Sequence, residues 1–199
     1  MGDSGRGTVA TAGEPVLIET DTLEDSPIGP LLLARTERGL CAIEFGSGPE
    51  AARKLEQWTD RWIPGGTIVS SPAGLREIRE QLEEYFSGQR HSFDLAFDLR
   101  GTEFQLRVWK ALLSVPYGAT ASYKDIAAAI GSPQAVRAVG GANNRNPVPI
   151  VIPCHRIIGA GGQLVGYGGG LSVKTALLEL EGRSPADDRH TSKNREWKA

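Results

Sequence analysis

Cys154, His155 and Arg156 stand in a row inside the stretch PVPIVIPCHRIIG, residues 147–159. A cysteine is the most nucleophilic side chain available at neutral pH, provided that it loses its proton. A free thiol has a pKa of about 8.5, so only a few per cent is thiolate without help. A histidine and an arginine alongside can both favour the anion. The apolar run Ile150-Val151-Ile152 reads as a buried strand that Pro153 ends. On an extended strand Cys154 and His155 would point apart, so they can cooperate only if the chain turns after Pro153. On these residues alone a catalytic and a structural role both stand, because a cysteine beside a strand is by default a small buried hydrophobe.

The remaining chemistry-bearing residues narrow the choice. The other cysteine is Cys41, and the other histidines are His91 and His190. No C-x-x-C or H-E-x-x-H spacing occurs, so no metal site is expected. A chain without a secretion signal is expected to keep both thiols reduced. Arg6 stands where a myristoylation signal requires Ser or Thr. No apolar segment approaches the ~20 residues of a membrane helix; the expected address is the cytoplasm. The net charge is −2, yet it is unevenly spread. Residues 1–100 carry 10 Lys+Arg against 17 Asp+Glu, whereas residues 101–185 carry 8 against 4. A basic second half points weakly to a polyanion partner for that half.

The elements that must position the cysteine fall into two groups. PVLIETDTL, GPLLLARTE and GLCAIEFG read as strands, the last two joined across Arg38-Gly39. PEAARKLEQWTDRW has helical periodicity, as does SPAGLREIREQLEEYFSG, which opens at Ser71-Pro72 and closes at Gly88. SFDLAFDL alternates like a further strand. Residues 14–98 therefore predict a small α/β domain, preceded by a disordered leader at 1–13.

From residue 99 to 183 the texture changes to helices and glycine-rich loops. Thr102 and Gln105 form a capping box ahead of the stripe Phe104, Val108, Leu112. Ser122 and Asp125 repeat it, and Gly131 ends that helix. Ser132 then caps the next helix, with Pro133 in its first turn. Two short helices joined by Gly-Ser-Pro predict a helix-turn-helix, a unit that binds DNA but also serves in plain helical packing. The second helix carries Ala135, Ala138, Gly140, Gly141 and Ala142, with Arg137 its single long cation. So slim a helix lacks the base-reading side chains of a major-groove reader and suits the minor groove. The polar tail 184–199, with Trp197, is expected to be disordered.

IPCHRII, GTEFQLRVWKALLSVPYGATASYKDIAAAIGSPQAVRAVGGA and GYGGGLSVKTALLELEG together resemble the O6-alkylguanine-DNA alkyltransferases. EYFSGQR carries a weaker likeness to that family's variable, ribonuclease-H-like N-terminal domain. The resemblance implies an α/β N-terminal domain with a small antiparallel sheet, and a mainly α C-terminal domain bearing the helix-turn-helix. It implies that Cys154 is nucleophile and alkyl acceptor and that His155 is general base through a water. Glu181 would orient the imidazole, and Asn146 would link the helix-turn-helix to the active-site turn. Tyr123 would press on the target phosphate, Arg137 would fill the gap left by the extruded base, and Tyr167 would lie over the guanine pocket. Ser132, Ala135 and Lys124 complete the implied DNA contacts. Gly168 stands where many relatives carry a side chain at the substrate oxygen, which leaves that task to backbone N–H groups.

The implied activity is irreversible, stoichiometric repair of O6-alkylguanine in double-stranded DNA after base flipping, with O4-alkylthymine admitted as a further substrate. No cofactor is implied. The chain is expected to act as a monomer, with cooperative binding along DNA left open, and no membrane is involved. Two rival readings differ in what Cys154 does: a multiple-turnover Cys-His hydrolase, and a DNA-binding protein whose cysteine is inert.

Overall fold

The computed structural model describes residues 15–183; the leader 1–13 and the tail 184–199 lie outside the described residues. The N-terminal half is built on a four-stranded sheet. Strands β1 (Leu17–Leu23), β2 (Leu31–Thr36) and β3 (Gly39–Phe45) form an antiparallel meander, and β4 (Thr67–Ser70) joins β1 in parallel, giving the order β3-β2-β1-β4. The sheet is thus mixed, not purely antiparallel as expected. The missed strand is short and mostly exposed, and it follows Pro64-Gly65-Gly66, so neither length nor alternation marks it. The turn between β2 and β3 requires Gly39, whose φ is +131° and where a Cβ would lie 2.2 Å from the Ala96 carbonyl oxygen.

Helix α1 (Pro49–Trp62) covers one face of this sheet. Leu55 and Ile63 pack there on Ile18, Ala34 and Cys41. Cys41 is fully buried, donates to the Ala34 carbonyl at 3.3 Å, and has its pKa pushed up to about 12 by burial. It is filler, as its apolar strand suggests. Helix α2 (Arg76–Phe86) lies in the larger core on the other side. It starts later than the Ser71 signal predicts, because the Ser71 hydroxyl donates to Glu19 at 2.7 Å and residues 72–75 form a turn.

Residues 92–99 do not form the predicted strand. Only a bridge between Leu40 and Phe97 is made. The Gln81 carboxamide takes both backbone groups of Asp94, accepting from its N–H and donating to its carbonyl at 2.9 Å each. A side chain has replaced the neighbouring strand.

The second half contains α3 (Glu103–Leu112), α4 (Tyr123–Ala129), α5 (Val136–Asn144) and α6 (Leu171–Leu180). A two-stranded parallel ladder joins β5 (Ala121–Ser122) to β6 (Ile157–Ile158). Both capping boxes form as the sequence predicts, Thr102 with Gln105 and Ser122 with Asp125. Ser132, by contrast, is not the cap of α5. Its carbonyl accepts from the Ala135 N–H at 2.8 Å, and the helix begins a turn later with Ala135 at the N-cap. Gly131, with φ +69°, closes α4. Trp109, almost fully buried in α3, donates to the Ala142 carbonyl at 2.9 Å and fastens α5 to it.

The two halves share one core. Leu33, Leu40, Leu82 and Tyr85 from the first belong to the same buried cluster as Val108, Trp109, Ile152 and Leu177 from the second.

Candidate active site

The segment before the cysteine is buried but is not the predicted strand. Residues 149–152 make a tight turn, closed by a bridge between Pro149 and Ile152. Asn146 dictates this. Its Oδ1 accepts from the Val148 N–H at 3.0 Å and its Nδ2 donates to the Ile152 carbonyl at 2.8 Å. Those are backbone groups that a neighbouring strand would otherwise have satisfied. The turn forces Ile150 to φ +76°, a left-handed conformation that costs a β-branched residue about 1–3 kcal/mol. Full burial of Ile150 and Ile152 holds it there. Asn146 sits two residues after α5, so it ties the helix-turn-helix to the cysteine's turn.

After Pro153 the chain enters a single 3-10 turn, Cys154–Arg156, and then β6. This is the turn that the Cys-His pair needs, and both side chains are inside, Cys154 at 4% exposure and His155 at 0%. Burial pushes the Cys154 thiol up to about 11, against opposing pulls from the Asn146 side chain, the Lys174 charge and the Tyr167 hydroxyl. The resting thiol is protonated. Burial also holds the His155 imidazole below its usual pKa despite the Glu181 carboxylate beside it. His155 Nε2 lies 2.9 Å from Glu181 Oε1, while the buried Nδ1 bonds to no protein atom among the described residues.

Glu181 caps the C-terminus of α6 and is the hub of the site. Besides His155, it accepts from Arg156 Nε and Nη2 at 3.0 and 2.9 Å, from the Tyr85 hydroxyl at 2.8 Å and from the Gly118 N–H at 3.1 Å. Burial alone would raise its pKa, but the hydrogen bonds and charges of His155 and Arg156 bring it down to about 2. Arg156 is therefore committed to Glu181 and to the Val115 carbonyl. The expectation that Arg156 supports the thiolate gives way to Lys174.

Lys174 is fully buried in α6. Its ammonium donates to the carbonyls of Ile157 and Val165, and burial lowers its pKa to about 8. It follows that α6 supplies both a cation whose charge favours the thiolate and, at its C-cap, the carboxylate behind the histidine. Tyr85, Lys174 and the Glu181 role of Arg156 were missed by the sequence reading. Lys174 alone had a signal, since it lies with Leu177, Leu178 and Glu181 at i, i+3, i+4 and i+7, a cation inside an otherwise buried stripe.

Tyr167 is buried beside the sulfur and meets Phe45 of β3 edge-on, with ring centroids 5.7 Å apart. Gly168 is exposed with open space where a Cβ would be, and Gly169 lies directly under the Phe45 ring. The glycine-rich loop is thus clasped by the N-terminal half. Tyr123, the first residue of α4, sets its ring beside Gly140, where a Cβ would meet it in ordinary contact at 3.8 Å. Arg137 and Lys124 project from exposed positions of α5 and α4; Ser132 and Ala135 are half-buried in the turn between them. Two cavities open here. One, of about 270 Å³, touches Cys154, Tyr167, Gly168 and Pro149; the other is a shallower groove bounded by Tyr123, Gly140 and Gly166.

Fold and site define a two-domain helix-turn-helix protein that keeps a buried thiol where its two halves meet. The chain matches the family descriptions "6-O-methylguanine DNA methyltransferase, ribonuclease-like domain" over residues 20–99 and "6-O-methylguanine DNA methyltransferase, DNA binding domain" over residues 103–183. It is 49% identical over 157 residues to the methylated-DNA–protein-cysteine methyltransferase of Methanosarcina barkeri, covering 79% of this chain and 93% of the relative. Against the Mycobacterium tuberculosis protein of the same name it is 51% identical over 168 residues, covering 82% and 93%. The crystal structure of Mycobacterium tuberculosis OGT in complex with DNA superposes with a TM-score of 0.69 at 47% identity, covering 86% of this chain and 97% of that one. The chain belongs to the 6-O-methylguanine DNA methyltransferase family. No helix among the described residues is long and apolar enough to cross a membrane.

Proposed function

We propose that this protein repairs DNA by moving the alkyl group of an O6-alkylguanine onto Cys154, once per molecule, after the damaged nucleotide is turned out through the minor groove. The observation that carries the reading is a buried thiol flanked by Asn146, Tyr167 and Lys174 on a turn whose next residue is a histidine backed by a carboxylate. Attack at a saturated carbon needs a sulfur anion opposite the leaving oxygen and no oxyanion hole. With the thiol at about 11, forming the anion at neutral pH costs about 5 kcal/mol. A base acting during the transfer offsets that cost. His155, through Nδ1 and one water, takes the proton, and Glu181 stabilises the imidazolium.

The bookkeeping of atoms closes. The Sγ–C bond forms, the C–O6 bond breaks with its electron pair left on oxygen, and the thiol proton ends on guanine N1. Water does not cleave the resulting thioether, so no cofactor enters and no second turnover follows. Extruding the nucleotide costs a few kcal/mol of stacking, which Arg137 offsets by stacking its guanidinium in the gap. Tyr123 turns the target phosphate. O4-alkylthymine presents the same alkyl–oxygen bond and enters as a secondary substrate.

The test is the intact mass of the protein after incubation with a duplex holding one O6-methylguanine. The expected result is a gain of one methyl group per protein, on the peptide containing Cys154, and none in Cys154→Ala, which still binds the duplex. Unmodified protein beside untouched DNA refutes the reading.

A further inference from the structure

The carboxylate of Glu181 is unevenly loaded. Its Oε1 accepts from three donors, the Tyr85 hydroxyl at 2.8 Å, His155 Nε2 at 2.9 Å and Arg156 Nη2 at 2.9 Å. Its Oε2 accepts from Arg156 Nε and the Gly118 N–H at the longer distances of 3.0 and 3.1 Å. A carboxylate offers about four acceptor sites, two on each oxygen. Oε1 is therefore crowded, and the phenol and the imidazole draw on the same lone pairs.

Tyr85, in α2, is fully buried and neutral; burial first, and then the carboxylate itself, hold its pKa far above the usual phenol range. Its ring meets Phe86 and Tyr117 edge-on, with centroids 5.5 and 6.1 Å away, which keeps the hydroxyl at Oε1. A donor on that oxygen takes up negative charge that would otherwise favour the imidazolium. We infer that Tyr85 is a positioning residue of the transfer: by competing with His155 for Glu181 Oε1, it keeps the imidazole unprotonated, and so able to act as base, further into acid solution. The inference rests on the transfer reading above and deepens the part that His155 plays in it.

The other groups around this pair leave its titration distinct. His155 is faced by Glu181 and Lys174 from α6 and by Arg156 on its own turn, and both cations oppose its protonation. Glu181 is faced in addition by the phenols of Tyr85, Tyr117 and Tyr167. Glu181 titrates near 2, Lys174 near 8 and Cys154 near 11, while burial pushes all three phenols up. A guanidinium keeps its charge throughout. Between about pH 2 and about 8, therefore, His155 alone among these groups changes its charge.

Two measurements from about pH 5 to 8 test it: nitrogen NMR of the histidines in the free protein, and single-turnover transfer from a duplex holding O6-methylguanine. The signal that disappears in His155→Gln identifies His155. In Tyr85→Phe, which keeps the ring and removes the donor, the His155 midpoint and the acid limb of the rate should both move up by about one pH unit, the worth of one hydrogen bond. A ring-fluorinated tyrosine in place of Tyr85, more acidic and so a stronger donor, should move both down. The signal of His91, which stacks on Tyr117 with centroids 4.1 Å apart, should stay in place. Midpoints that do not move in either variant, or a lower one in Tyr85→Phe, overturn the inference. So does a Tyr85→Phe protein slowed by the same factor at every pH, which is what a purely structural phenol predicts. Should Tyr85→Phe not fold, the fluorinated protein decides alone. A wild type that leaves the DNA unaltered while its His155 midpoint still answers to Tyr85 removes the transfer reading but not the coupling between the two residues.

Discussion

Replacing Glu181 by glutamine removes the negative charge on which His155 and Arg156 converge. Arg156 is 6% exposed and its guanidinium would be left buried opposite a neutral amide. Breaking a buried pair by removing one partner costs about 3–5 kcal/mol. The wild-type carboxyl gives an independent figure of similar size. Its pKa falls from 4.5 to about 2 on folding, which corresponds to about 3 kcal/mol of stability. Because the folded pKa is the lower one, that stability is fully present above pH 4.5 and is lost as pH falls toward 2. Urea denaturation of Glu181→Gln at pH 7 should therefore show a loss of about 3–5 kcal/mol, and thermal melting a drop of about 6–20 °C for a chain of this size. The acid limb should also change. The wild type should lose stability between pH 4.5 and 2 by about 3 kcal/mol more than the variant does. A loss at pH 7 below about 1 kcal/mol, or parallel acid limbs, would refute the view that this carboxylate holds the site together.

Three further outcomes are expected. Arg137→Ala, at an exposed position, should leave stability within about 0.5 kcal/mol of wild type but reduce transfer more on duplex than on single-stranded substrate; equal losses on both would remove its role in extrusion. Burial keeps His155 neutral below its usual pKa, so the single-turnover rate should stay level from pH 8 down to about 6.5 and fall only in more acid solution; a tenfold climb per pH unit across that range would mean that the thiol ionises without its base. Gly39→Ala should destabilise by more than about 2 kcal/mol, since its Cβ would meet the Ala96 carbonyl at 2.2 Å, and an unchanged melting temperature would contradict the placement of that turn.

Local chemistry explains what could be read from the sequence. Both capping boxes, α1 and the β2–β3 turn depend on residues within a few positions of one another, and each forms where those residues say. The failures share a different cause. Residues 92–99 and 150–152 carry the apolar pattern of strands, yet a carboxamide from elsewhere, Gln81 or Asn146, takes up their backbone groups. Ser71 and Ser132 look like caps, but neither caps a helix here; the Ser71 hydroxyl instead bonds to Glu19. At the site, Cys154 and His155 stand out by type, and Glu181 and Asn146 by the family resemblance alone. Tyr85 reaches Glu181 across 96 residues of sequence, a separation that no spacing rule spans.

That bond from Tyr85, together with Phe45 on the glycine-rich loop, has an outcome for how the molecule can be divided. Cut between residues 99 and 103, the second half would bare the apolar surface that now meets Leu33, Leu40 and Leu82. Its carboxylate would lose a phenolic donor and its loop the ring that pins it. The catalytic machinery is therefore not a portable cassette: separated from the first half, it would leave part of the shared core open to water.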